Sequence, residues 1–125
     1  MNNTIKMLII ILLLIENIQA SPKKIALIIG NGNYNFSPLK NPKNDAKSMA
    51  YILEKMDFDV IQGINVDRKK MRQKIREFGH KMKNSNVALF YYAGHGMQYE
   101  GNNYLIPINT NIASMNAQEA ASNTN

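Results

Sequence analysis

Apolar residues fall along this chain in two rhythms. Three short stretches are apolar with little interruption: Ile25 to Ile29 (IALII), Phe58 to Ile64 (FDVIQGI) and Val87 to Tyr92 (VALFYY). Between them, apolar residues recur at helical spacing. Ala46, Met49, Ala50, Leu53 and Met56 form one stripe, and Met71, Ile75, Phe78 and Met82 form another. Short apolar runs bounded by turn residues predict buried strands, and the three-and-four spacing predicts helices with one face on a core. The first and last runs are unbroken, which predicts strands buried on both faces of a parallel sheet. The middle run alternates with polar residues and belongs nearer an edge. Asn44 or Asp45 is the expected cap of the first helix, which runs to about Met56. Asp67 caps the second, which runs to about Lys83.

Strand, helix, strand, helix, strand implies two right-handed crossovers, with the third strand in chain order lying beside the first. The long segment GNGNYNFSPLKNPKN after the first strand reads as a loop. Gly30 and Gly32 invite a dinucleotide reading. The third glycine of that fingerprint would fall on Asn35, and the helix starts too late, so no phosphate cradle is expected. Beyond His95, Met97 to Gly101 and Asn102 to Ile108 suggest a small hairpin turning at Gly101, Asn102 and Asn103. Pro107 marks its second arm as an edge strand.

The ends differ from the middle. Met1 to Ala20 reads as an export signal. It has a positive residue at Lys6, nine apolar residues from Met7 to Ile15, and a short polar exit ending in Ala20. Nine residues fall far short of the ~20 that a membrane-crossing helix needs. Cleavage after Ala20 is expected, leaving no stable membrane anchor and a periplasmic or secreted product; an uncleaved anchor is the alternative. Residues 21–108 then form one domain. Residues 109–125, mostly Asn, Ala, Ser and Thr, are expected to be a disordered or frayed tail.

Charge and cysteine content narrow the chemistry. The net charge is +6, and residues 67–83 carry all of it: eight Lys and Arg against Asp67 and Glu77. These charges lie opposite the stripe of Met71 and Phe78 and have no aromatic or glycine pattern among them. They read as a solvated helix face, and no nucleic-acid partner is expected. There is no cysteine, so disulfides, thiolate metal sites and thiol nucleophiles are excluded. Two histidines without a third ligand at suitable spacing argue against a metal, and no cofactor is expected. His80 sits on the charged helix and reads as surface. His95 stands between Gly94 and Gly96, just past a buried strand. Chemistry gathers at the carboxyl ends of strands in such sheets, so His95 is the candidate general base or acid.

Taken in order, KIALIIGNGNY, LKNPKNDA, the basic amphipathic helix, VALFYYAGHG and GNNYLIPI closely resemble the amino-terminal half of the caspase-like cysteine peptidase domain, in its bacterial caspase/metacaspase-like branch. The resemblance covers Lys24 to Ile108. It implies a three-layer α/β caspase-like (caspase-hemoglobinase) fold, here an incomplete parallel sheet with flanking helices, and a peptide or protein substrate. By resemblance, His95 is the dyad histidine and the Gly96 N–H is one oxyanion-hole donor. Asp45 corresponds to the acidic residue that often binds a basic substrate side chain, so cleavage after Arg or Lys is expected. A capping role for Asp45 stays open beside this one, and the two are compatible.

The family's cysteine follows a further strand, before which this chain is expected to be truncated. Removing one member of a catalytic unit costs about as much as removing all of it. The chain alone is therefore expected to be inactive. A non-catalytic peptide- or protein-binding module of the same fold is the alternative. The open edge left at Val87 to Tyr92 would favour self-association.

Overall fold

The structure, a computed structural model, describes residues 1–15 and 20–111, with the side chains of 11–15 left aside. In order the elements are helix α1 (Asn3–Ile15), strand β1 (Lys24–Gly30), helix α2 (Pro42–Lys55), strand β2 (Phe58–Ile64), helix α3 (Arg68–Met82), strand β3 (Val87–Ala93), and the short strands β4 (Gly96–Tyr99) and β5 (Asn102–Leu105). Strands β2, β1 and β3 form a parallel sheet in that order, and β4 and β5 an antiparallel pair. The third long strand lies beside the first, as expected.

β1 holds the sheet together because both of its faces are covered. Ile25, Leu27 and Ile29 pack with Ile61, Val66 and Met71, and Phe78 of α3 closes over them. Ala26 and Ile28 point the other way, onto Ala46, Ala50 and Leu53 of α2. The period-2 pattern of a strand thus sorts one apolar run onto two helices, giving three layers. Each fully buried Ile or Leu contributes about 1.5–3 kcal/mol relative to exposure.

Register sets where the strands end. Lys24 pairs with Phe58 on one side and with Val87 on the other, and Gly30 with Ile64 and Ala93. All three strands therefore stop at one level. The segments that follow them, starting at Asn31, Asn65 and Gly94, meet at one rim.

Four expectations need correction. First, β3 is not buried on both faces: Val87 is 43% and Phe90 47% exposed. α3 packs over β1 and β2, so the face of β3 that carries Phe90 is left open; only β1 is buried on both sides. Second, α2 begins at Pro42 with Asn41 as its cap residue and without a side-chain capping bond. Proline preset for the first helical turn starts the helix earlier than Asn44 or Asp45. Third, Met56, Ile75 and Met82 are exposed although they sit at stripe positions. Fourth, the hairpin turns at Glu100 and Gly101, both with positive φ (47° and 80°), and β5 stops at Leu105, before Pro107. Successive left-handed residues give the hairpin turn whose twist matches the flanking strands.

Other expectations hold. β2 spans Phe58–Ile64 at the opposite edge. Asp67 caps α3, its carboxylate accepting from the Lys70 N–H at 2.8 Å. His80 is exposed on α3. α1 is helical with exposed side chains up to Ile10, and no described helix is long and apolar enough to cross a membrane. The expected cleavage segment lies largely, and the expected disordered tail almost wholly, outside the described residues.

Asp67→Ala removes the one side-chain cap on α3 and is expected to lower stability by about 1 kcal/mol. Urea unfolding followed by circular dichroism at neutral pH measures it, with an unchanged slope against denaturant.

Candidate active site

The rim beyond Gly30, Ile64 and Ala93 is built from side chains that satisfy main-chain groups where the sheet stops. Asn31 is fully buried. Its N–H donates to the Ala93 carbonyl (2.8 Å), its side-chain oxygen accepts from the Val66 N–H (2.9 Å), and its side-chain NH₂ lies 3.4 Å from the carbonyls of Val66 and Ile106. A single residue thus ties together the segments after all three long strands. Asn65, left-handed at φ 49°, uses its side-chain oxygen to accept from the N–H groups of Gly32 (2.9 Å) and Asn33 (3.1 Å). Those amides are the ones a phosphate cradle would need, and Asn65 occupies them. Gly32 is required by close approach, because a Cβ there would lie 2.5 Å from the Leu39 carbonyl.

His95 follows β3 by two residues and stands half-buried at this rim. Its ring meets the loop after β1. Nε2 lies 2.8 Å from the Ser37 carbonyl oxygen. A carbonyl only accepts, so Nε2 carries the proton of the neutral ring and Nδ1 carries the lone pair. The Tyr34 ring lies 4.6 Å from the imidazole, tilted by 57°, and the Phe36 ring 5.3 Å away at 36°. Tyr34, Phe36 and Ser37, all within four consecutive positions, thus each meet the imidazole. A half-exposed imidazole with a defined lone pair can accept a proton from an acidic group and return it to a leaving amine.

The backbone of His95 is held as firmly as its ring. Its N–H donates to the Tyr34 hydroxyl (3.0 Å), and its carbonyl accepts from the Tyr92 hydroxyl (2.8 Å) and the Ile106 N–H (3.0 Å). The two hydroxyls lie 3.0 Å apart. They pass directly beneath Gly94, where a Cβ would lie 2.6 and 2.7 Å from them. Burial raises the pKa of both phenols above the ordinary 10.0, that of Tyr92 strongly, with the Tyr34 hydroxyl adding to the rise at Tyr92.

Gly96 opens β4 opposite Leu105. The Ile106-to-His95 bond makes the preceding pair hydrogen-bonded. Alternation in an antiparallel ladder then turns the Gly96 N–H outward from β5. Asp45 lies in the first turn of α2, on the same rim. Its carboxylate is exposed and makes no bond among the described residues, so it does not cap the helix. The structure brings His95 and Gly96 together as chain neighbours, while Asp45 stands apart without contact to them. Asn31, Tyr34, Phe36, Ser37 and Tyr92 are site residues that the sequence reading passed over. The available signal, for Tyr92 only, was a phenol within an apolar strand, since a buried tyrosine hydroxyl needs a partner.

A family model for the caspase domain matches residues 23–123. Human mucosa-associated lymphoid tissue lymphoma translocation protein 1 is 36% identical over 86 residues, covering 68% of this chain and 10% of that protein. The mouse homolog is 34% identical over 86 residues, with the same coverage. The α/β layering, the Gly-His-Gly rim and these matches converge: the chain belongs to the caspase-like peptidase family, and what it carries is the amino-terminal part of the domain. It spans 10% of the length of the curated relatives that it matches.

Raised tyrosine pKa values make a signed prediction. The folded state prefers the neutral phenols, so their contribution is complete below the ordinary pKa of 10.0 and is lost as pH rises beyond it. Thermal melts between pH 9 and about 12 are expected to show stability falling above pH 10, with a shallower fall in Tyr92→Phe.

Proposed function

We propose that this chain supplies the histidine side of a cysteine endopeptidase site. His95 acts as the base that activates a thiol and as the acid that protonates the leaving amine. The Gly96 N–H serves as one donor to the developing oxyanion, and Asp45 receives an Arg or Lys side chain before the scissile bond. The observation that carries this reading is the fixed Nε2 bond to Ser37, which leaves the Nδ1 lone pair as the basic group. The outward N–H of Gly96 and the carboxylate of Asp45, unpartnered among the described residues, support the other two roles. The thiol has to come from elsewhere, because this sequence contains none.

The chain alone is therefore expected not to turn over fluorogenic peptides ending in Arg or Lys. Turnover that His95→Ala abolishes would overturn the thiol requirement. A second reading is favoured by the free carboxylate of Asp45: a module that holds basic segments without cutting them. Titration calorimetry with an Arg-containing peptide separates the two. Binding that weakens at least about tenfold in Asp45→Asn, with no cleavage, supports the holding module; a 1.4 kcal/mol loss is that factor.

We also propose export. Support comes from Lys6 and the apolar run in α1, which is too short to span a bilayer. Amino-terminal sequencing of the mature protein is expected to begin at Ser21. The uncharged outer edge of β3 fits self-association of the isolated chain, seen as a concentration-dependent mass in light scattering; a monomer at high concentration counts against it.

A further inference from the structure

We propose that Tyr34 and Tyr92 are positioning residues for His95, acting on its main chain rather than on its ring. The inference rests on the proposed base role of His95 and adds the means by which its lone pair is aimed.

The hydrogen bonds are arranged around one peptide unit on each side of a single residue. Tyr34 accepts from the His95 N–H at 3.0 Å and donates its one proton to the Ile106 carbonyl at 2.8 Å. Tyr92 donates to the His95 carbonyl at 2.8 Å and lies 3.0 Å from the Ile106 carbonyl. Both polar groups of the His95 backbone are therefore taken by phenols, and the second phenol comes from the strand that leads to it. A hydroxyl can accept and donate at once, which no apolar ring of the same size can do.

Tyr34 does a second thing. It lies three residues before Ser37, whose carbonyl holds Nε2, and its own ring lies 4.6 Å from the imidazole. The residue that fixes the His95 backbone thus also anchors the loop that fixes the His95 ring. With the backbone held, the Nε2 bond and the neighbouring rings restrain both side-chain torsions, so Nδ1 points one way. Groups that lock a reacting side chain in this manner preorganise a site. Gly94 follows from the same geometry, since any side chain there would push the two hydroxyls apart. The grip is unequal: the His95 carbonyl keeps the Ile106 N–H if Tyr92 loses its hydroxyl, but the His95 N–H has only Tyr34.

The test uses the two histidines of the intact chain, with exposed His80 as internal reference. Nitrogen-15 NMR of the neutral imidazoles is expected to show His95 with its proton held on Nε2 and His80 as an averaging mixture. In Tyr34→Phe the His95 signature moves toward that of His80, and in Tyr92→Phe it moves less. Tyr91→Phe, whose ring packs against the α2 side of the sheet, leaves it unchanged. A folded Tyr34→Phe or Tyr92→Phe that melts lower but keeps the wild-type His95 signature would falsify the proposal, since the phenols would then serve the fold alone. If Tyr34→Phe does not fold, Tyr92→Phe decides. If the wild-type chain binds no Arg- or Lys-containing peptide while the His95 signatures move as described, the proposed function fails and the positioning role stands.

Discussion

A strand covered on both faces has nowhere to send its unpaired main-chain groups except beyond its ends. β1 is in that position. Helices cover it above and below and strands flank it, so water reaches none of the residues from Ile25 to Ile29. The chain therefore has to satisfy polar groups where β1 stops. It does so with Asn31, whose bonds reach the segments following β2 and β3 as well as Ile106. An unsatisfied buried amide or carbonyl costs about 1–3 kcal/mol, so the bonds of Asn31 tightly constrain this rim. His95 sits on this rim, its backbone held by Tyr34 and Tyr92.

Most of the architecture was legible from apolar spacing. The five long elements of the sandwich, their order and the place of His95 follow from two unbroken apolar runs, one alternating run and two stripes at period 3.6. What escaped is equally physical. VALFYY reads as doubly buried because periodicity reports hydrophobicity, not coverage; coverage of β3 depends on how far α3 extends across the sheet. Asn44 and Asp45 looked like caps because their side chains suit one, yet Pro42 had already set the backbone for a helix. The phenols of Tyr34, in a loop, and Tyr92, in β3, were hidden because a tyrosine counts as an aromatic wall until its hydroxyl has a named partner.

The two edges of the sheet differ in a way that bears on assembly. β2 carries Asp59, paired with Lys81 of α3 at 3.0 Å, so a charge stands on that edge and discourages a further strand. β3 has no charged residue, no proline and no glycine from Val87 to Ala93. Natural edge strands are usually blunted by such residues. A strand without them is a strand suited to a neighbour, so β3 is the side on which the sheet can grow.

That asymmetry bears on how a dyad could be completed. A strand added beside β3 in the same direction would end at the same rim as Gly30, Ile64 and Ala93, because the existing strands are flush there. Any side chain just past its end would arrive on the outer side of the Gly94 to Gly96 turn. The inner side, by contrast, is already filled by Tyr34, Phe36 and Ser37. The imidazole thus meets the loop after β1 on one flank, while the outer edge of β3 has no strand beside it. Coverage of one flank and vacancy on the other are a single consequence of strand order. The same order that buries β1 leaves the outer edge of β3 uncovered among the described residues, and a thiol for the proposed dyad could enter there.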